Sequence, residues 1–246
     1  MKDLDIGILS PKPLSSRQEG REFLSLLCNS LPEFIPERYG NHEPIRKKFN
    51  VEQIEDILNS WKWPFLWTRQ HPSVEGNIWM RDTRAHGTIY ISAESRWLDL
   101  IKIEEFFKQV SILVNTDFAY IHILTKQEAK SVIEDELLMP FRQGVTTHLL
   151  RKYLPNICWG TVLGPPYVRL FGRKQIFSAP AYKVVELAQE TFYIQLSENL
   201  SDLKSRYSEI DAVRQQVKKH LNNNAFFDPQ AEVDHKYNVP EFQWKD

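Results

Sequence analysis

Two kinds of apolar spacing alternate along this chain, and that alternation constrains the fold more than any other feature of the sequence. The segment LDIGIL at residues 4–9 reads as a strand. The next stretch carries Phe23 and Leu27 four residues apart within an apolar stripe, the spacing of a helix that faces a core. Ser16 precedes Glu19 by three residues, which is the spacing of a capping box at a helix N-terminus. The sequence therefore predicts a strand followed directly by a helix.

The same alternation continues through the middle of the chain. Asn50 is placed to cap a second helix, and Thr125 with Glu128 repeats the capping-box spacing ahead of another. The β-rich runs NIWMRD and GTIYISAE are joined by a short loop containing glycine, which predicts an antiparallel hairpin. A helical stripe then runs from Ile103 to Val114 and is followed by the strand FAYIHIL. The predicted order up to this point is β-α-α-β-β-α-β-α.

From about residue 145 the elements recur in a similar grouping. The predicted elements are the helix TTHLLRKYL, the strands ICWGTVL, AYKVVEL and TFYIQLS, and a helix from Ser208. We predict an α+β fold with a mixed, largely antiparallel sheet and flanking helices. The chain has only 9 glycines and no Gly/Ser-rich linker, so we expect a single domain over residues 1–246. An arrangement of two similar halves, 1–140 and 141–246, is left open.

A Gly-Pro-Pro sequence follows the predicted strand ICWGTVL. Proline cannot donate a ladder hydrogen bond, so the strand must end there. We expect a structural corner in which Tyr167 is an apolar anchor, Arg169 points outward and Gly172 closes the turn in a left-handed conformation. A loop that binds a ligand is the alternative interpretation.

Composition excludes several classes of function. The 31 basic and 32 acidic residues nearly cancel, so direct nucleic-acid binding is not expected. No apolar run is long enough to span a bilayer, and the first residues do not have the pattern of a signal peptide. Cys28 and Cys158 each lie in an apolar stretch and are interpreted as buried free thiols in a reducing compartment. We therefore expect a cytoplasmic protein.

Motifs for chemistry are missing from the sequence. It contains no nucleophile elbow, no phosphate-binding loop, no dinucleotide fingerprint and no histidine pair at metal-ligand spacing, so we predict no catalytic residues, no metal and no cofactor. His122, within an apolar strand, is interpreted as a core histidine. Asp82, Arg84 and His86 form the densest polar group, and an active site there is the alternative to an Asp–Arg pair that shapes the loop.

An aromatic-rich stretch, WKWPFLWTRQHP, has the composition of a protein–protein interface. Trp61 ends a helical stripe and is expected to be buried. Trp63 and Trp67 are the better candidates for exposure beside Arg69, and burial in the core is the equal alternative. The predicted partner-binding residues are Trp63, Trp67, Arg69, Arg84, Tyr167 and Arg169.

Several segments together resemble a known family. They are PERYGNHEP, WGTVLGPPYVRLFG, SAPAYKVVEL, FYIQLSEN, and NAFFDP followed by YNVPEF. The chain resembles the bacterial polymorphic-toxin immunity proteins called immunity protein 52, most strongly over residues 150–242. The resemblance implies an α+β antitoxin in the cytoplasm that binds and neutralises a cognate toxin protein, without catalytic residues or a cofactor. It leaves open the toxin, the binding surface and the oligomeric state.

Two other functional classes remain open at the level of sequence. One is a component or regulator of another bacterial defence system. The other is an enzyme with a dispersed site around Asp82, Arg84 and His86, since residues of a catalytic triad need no fixed spacing in sequence.

Overall fold

The computed structural model describes residues 2–61, 64–80, 84–125, 128, 145–232 and 234–244. The chain divides into two compact units, one formed by the residues up to Thr116 together with Trp244, the other by Asp117–Gln243. Helices and antiparallel sheet strands alternate in both units, which confirms the predicted α+β class. That the whole chain unfolds as one cooperative domain remains a prediction.

The first unit combines six strands with three α-helices among the described residues. The strands are β1 (Leu4–Ser10), β2 (Arg38–Gly40), β3 (Lys47–Lys48), β4 (Phe65–Arg69), β5 (Val74–Trp79) and β6 (Gly87–Ala93). The helices are α1 (Arg17–Ser30), α2 (Ile54–Asn59) and α3 (Leu100–Leu113). The strand order is β3-β2-β4-β5-β6-β1, and each neighbouring pair is antiparallel.

Local sequence signals in this unit produce the predicted contacts. The Ser16 hydroxyl accepts a hydrogen bond from the Glu19 N–H at 3.1 Å, and the Glu19 carboxylate accepts one from the Ser16 N–H at 3.0 Å, which completes the capping box of α1. Helix α1 packs on α3 through the Phe23 and Phe106 rings, 6.4 Å apart. The predicted hairpin is β5 paired antiparallel with β6.

The expected exposure of Trp67 is wrong. Its side chain is 0% exposed, because Trp67 lies in β4, where side chains alternate between the two faces of the sheet and Phe65 and Trp67 share the buried face. The Trp67 ring lies 5.7 Å from that of Phe23. Gly76 is opposite on β5, where an added Cβ would come within 2.0 Å of the indole. The aromatic stretch is therefore largely core, and Trp61 is buried as predicted.

The second unit has four strands and four α-helices among the described residues. The strands are β7 (Phe118–Ile123), β8 (Gly160–Leu163), β9 (Lys183–Ala188) and β10 (Thr191–Gln195). The helices are α4 (Thr147–Leu150), α5 (Pro165–Phe171), α6 (Arg173–Phe177) and α7 (Tyr207–Leu221). The strand order is β7-β8-β10-β9, again antiparallel at each pairing, so β9 is an edge strand of this unit.

The Gly-Pro-Pro sequence changes a strand into a helix. Strand β8 ends at Leu163, and Pro165 begins α5, where its missing N–H costs nothing because the first N–H groups of a helix have no partner within it. Tyr167 is buried as predicted, with its ring 5.8 Å from Phe118. Gly172 has a φ of +85°, the positive value expected of a closing glycine.

Both cysteines are free thiols. Cys158 is buried, as predicted, whereas Cys28 is half-buried on α1. Partial burial raises the pKa of the Cys28 thiol, which lowers its thiolate fraction and hence its reactivity.

Candidate partner-binding surface

A cleft of about 430 Å³ opens on the second unit. Six of the residues that line it are Tyr182, Leu196, Glu198, Arg206, Glu209 and Val213. They come from the start of β9, the end of β10 and the first turns of α7. Clefts of roughly 300–1,000 Å³ are the usual size of ligand pockets, so this one has room for a partner's side chain.

Strand register and helix periodicity together build the cleft. Lys183 pairs with Gln195, so Tyr182 and Leu196, the next residues outward, fall at the same end of the β9–β10 hairpin. On α7, Glu209 and Val213 are four residues apart and therefore lie on one face of the helix. That helical face forms the wall opposite the hairpin end.

Two aromatic side chains between the end of α6 and the start of β9 are exposed. Phe177, the last residue of α6, is 63% exposed, and Tyr182, at the cleft itself, is 54% exposed. Aromatic residues that are exposed in the free protein are enriched at the centres of protein–protein interfaces. We call Tyr182 and the cleft the α7 surface.

The first unit has an exposed apolar pair of its own. Trp97 is 62% and Ile101 is 72% exposed, next to and within the first turn of α3. The Arg96 guanidinium lies 4.9 Å from the centre of the Trp97 ring. This pair has the Trp–Arg composition of an interface anchor.

Charge in the cleft is only partly matched. Arg206 donates from Nε and Nη2 to Glu209 Oε2 at 3.0 and 2.7 Å. Within the described part of the chain, the Glu198 carboxylate has neither a hydrogen bond nor an ion pair. Ser197, in contrast, accepts a hydrogen bond from Trp159 Nε1 at 2.8 Å and donates to the Asn199 carbonyl at 3.2 Å, so its hydroxyl is committed to the fold.

Behind the cleft, α7 buries a charged network. Arg214, 3% exposed, donates from Nη1 to Asp211 Oδ1 at 2.8 Å and from Nη2 to Glu128 Oε1 at 3.4 Å. His122 Nε2 lies 3.0 Å from the same Glu128 oxygen. The Trp159 N–H donates to His122 Nδ1 at 3.2 Å, so both ring nitrogens of His122 have partners. The interpretation of His122 as a core histidine is confirmed.

Burial alone would raise the pKa of Glu128. The adjacent His122 and Arg214, together with the Thr125 N–H that donates to the carboxylate at 3.0 Å, outweigh burial and lower the pKa to about 2. Glu128 is therefore ionised throughout the physiological range. A carboxylate so firmly deprotonated is suited to holding Arg214 in place and unsuited to donating a proton as a general acid.

The residues predicted on the aromatic stretch do not form an exposed anchor in the described structure. Trp67 is buried in β4. Arg69, on the same strand, donates to the backbone carbonyls of Ile35 at 3.1 Å and His71 at 2.9 Å, which commits its guanidinium to loop structure. Trp63 lies outside the described residues.

Only two of the three residues proposed for a dispersed active site are described. Arg84 is exposed in the loop before β6, and His86 is 1% exposed with its ring 4.8 Å from that of Trp244. Asp82 lies outside the described residues.

The two predicted partner residues on α5 differ from each other. Tyr167 is fully buried and packs within the second unit, whereas Arg169 is exposed and donates from Nη2 to the Glu241 carbonyl at 3.2 Å. Sequence reasoning missed Phe177 and Tyr182. The available signal was their position on either side of a Ser-Ala-Pro sequence that breaks the helical pattern.

Neither a metal site nor a membrane-spanning helix is found among the described residues. No group of three or more His, Cys, Asp or Glu side chains in the described ranges is arranged to hold a metal ion. Within the same residues, no helix combines the length and the apolar character needed to cross a membrane.

Solved structures include one with a similar fold. The fold is similar to that of a solved Pseudomonas aeruginosa protein titled T6SS protein PA0821, with a TM-score of 0.57 and 11% sequence identity. The match covers 87% of this chain and 76% of that one. At this identity the likeness shows a shared fold alone. No family model matches the sequence, and no curated protein matches it.

Proposed function

We propose that this chain is a non-enzymatic immunity protein, a cytoplasmic antitoxin that binds and neutralises a cognate bacterial toxin. The observation that carries the proposal is the α7 surface, where the Tyr182 side chain, more than half exposed, lies at a cleft with an unmatched carboxylate. A protein that acts by binding needs such a surface, whereas an enzyme needs an assembled group of reactive side chains.

Two independent likenesses support this class of function. The sequence segments around Tyr182 and Leu196 are among those that resemble immunity protein 52. The solved protein with a similar fold carries a title that assigns it to a type VI secretion system. We extend that assignment to this chain as part of the proposal, since a secretion system that delivers toxins also requires immunity proteins in the producing cell.

The energetics of recognition favour the α7 surface over the aromatic residues Trp67 and Tyr167 predicted from sequence. A few central aromatic or arginine anchors supply most of the binding free energy of an interface, and truncating one costs about 2 kcal/mol or more. An anchor has to be accessible before binding. Tyr182 and Phe177 meet that condition, whereas the fully buried Trp67 and Tyr167 do not.

Co-expression tests the proposal. The toxin encoded beside this chain is produced from one inducible promoter and this chain from another, and growth is measured as the ratio of the two proteins is varied. We expect protection to begin near equal amounts, because neutralisation by binding is stoichiometric. Protection at strongly substoichiometric amounts, abolished by Asp82→Ala or His86→Ala in a folded protein, would instead indicate an enzyme.

A further inference from the structure

We infer that the cleft of the α7 surface receives an arginine side chain presented by the partner protein. This inference rests on the proposed function, because it assigns the chemistry of the partner residue that the cleft binds. It follows from two features of the cleft: its charge and its walls.

The charge of the cleft favours a cation. Glu198 and Glu209 contribute two carboxylates to the lining, and Arg206 contributes one guanidinium. Arg206 is already shared between Glu209, at 2.7 Å, and Asp202, whose Oδ2 lies 3.9 Å from Nη1. The Glu198 carboxylate is thus left without a cationic partner in the described structure, and a bound cation would supply one.

An anion or a purely apolar side chain fits this charge poorly. A phosphate or carboxylate would be repelled by Glu198, and Arg206 is already paired with Glu209 and Asp202. An apolar side chain would displace water from the Glu198 carboxylate without replacing its hydrogen bonds, and burying an unpaired charge carries a large free-energy cost.

The walls of the cleft distinguish arginine from a simple ammonium ion. Pro180, Tyr182 and Val213 provide apolar surface for the methylene stem of a long side chain. The planar guanidinium can stack on the exposed Tyr182 ring while its N–H groups donate to a carboxylate, and lysine cannot do both with the same geometry. Arginine therefore satisfies the apolar walls, the aromatic ring and the carboxylate together.

The inference is tested with a small probe that does not require the toxin. Uniformly ¹⁵N-labelled full-length protein is titrated with N-acetyl-arginine amide, and with N-acetyl-citrulline amide as a neutral control of nearly the same shape. We expect the arginine probe to shift the backbone resonances of Tyr182, Ser197 and Glu198. Since an exposed ion pair is worth roughly 0.5–1 kcal/mol, the citrulline probe should bind about two- to fivefold more weakly.

Two matched variants locate the binding site. Glu198→Gln should weaken binding of the arginine probe by the same factor of about two to five, because it removes one charge and keeps the side-chain shape. Glu241→Gln makes the same chemical change at an exposed glutamate outside the cleft lining and should leave binding unchanged. Equal binding of both probes, or identical affinity in Glu198→Gln, would overturn the inference.

Failure of this inference can be told apart from failure of the proposed function. If the arginine probe binds the cleft but cells are not protected from the toxin, the proposed function is wrong. If Glu198→Lys, which places a cation in the cleft, still protects cells as well as the unaltered chain does, the toxin does not insert an arginine there, and this inference fails alone.

Discussion

Two adjacent faces of helix α7 differ in whether their charged side chains are paired within the fold. On one face, Arg214 is buried and binds Glu128 and Asp211 within the fold. On the other, Arg206 and Glu209 form an exposed ion pair at the rim of a cleft, beside a Glu198 carboxylate that has no partner in the described structure. The charges on the buried face pair with one another, whereas the Glu198 carboxylate beside the cleft is available to a partner.

This difference predicts which variants of the second unit change the free energy of unfolding and which change partner binding. Removing one member of a buried ion pair leaves the other charge desolvated, which is costly for folding. Removing an exposed charge or aromatic ring costs folding little, because water already solvates it in the free protein. We therefore expect variants on the buried face to change stability, and variants on the cleft face to change binding alone.

The largest expected effect is on the buried face. Arg214→Ala should lower the free energy of unfolding by about 3–5 kcal/mol, because it leaves Glu128 and Asp211 without their guanidinium. Urea denaturation followed by circular dichroism measures the change. Arg214→Met keeps most of the side-chain volume, so it should be nearly as destabilising if charge is the cause. A Met variant as stable as the unaltered chain would show that packing, and not the ion pair, is what matters there.

A buried aromatic residue on α5 extends the comparison to a side chain without charge. Tyr167→Ala should lower the free energy of unfolding by roughly 3 kcal/mol, as expected for loss of a fully buried aromatic ring. The Tyr167 hydroxyl has no hydrogen-bond partner among the described residues, so Tyr167→Phe should unfold at the same or a slightly higher temperature. Wild-type stability in the alanine variant combined with lost partner binding would revive the ligand-loop interpretation of the Gly-Pro-Pro corner.

The pH dependence of the free energy of unfolding tests the contribution of the buried Glu128 carboxylate. The folded-state pKa of Glu128 is lowered from 4.5 to about 2, so its contribution to stability is present above pH 4.5 and is lost as the pH falls towards 2. At about 1.4 kcal/mol per pKa unit, this contribution is on the order of 3 kcal/mol. Glu128→Gln should flatten the stability profile between pH 4.5 and 2. If the variant shows the same acid-induced loss, other carboxylates cause it.

Local signals in the sequence were enough to predict much of the fold. The capping box of Ser16 and Glu19 placed the start of α1, and two β-rich runs joined by a short loop with glycine predicted the hairpin of β5 and β6. The short strands β2 and β3 carry too few residues for a periodic signal. Trp67 was mistaken for an interface residue because aromatic composition was given more weight than its alternation with Phe65.

The α7 surface could not be predicted from sequence spacing. Tyr182, Glu198 and Glu209 meet only because the register of the β9–β10 hairpin brings both strand ends to the start of α7. The buried network has the same origin, since Glu128 and Arg214 are 86 residues apart and become neighbours only through tertiary packing. Long-range contacts of this kind leave no periodic pattern along the chain.

The central claim, that the cleft face binds and the buried face stabilises, is tested most directly by one variant measured in two ways. Tyr182→Ala is compared with the unaltered chain for its melting temperature and for its Kd with the co-encoded toxin, measured by isothermal titration calorimetry. We predict an unchanged melting temperature and a Kd weakened at least about thirtyfold, the equivalent of losing an anchor worth roughly 2 kcal/mol. An unchanged Kd, or a weaker Kd accompanied by a large fall in melting temperature, would contradict the account.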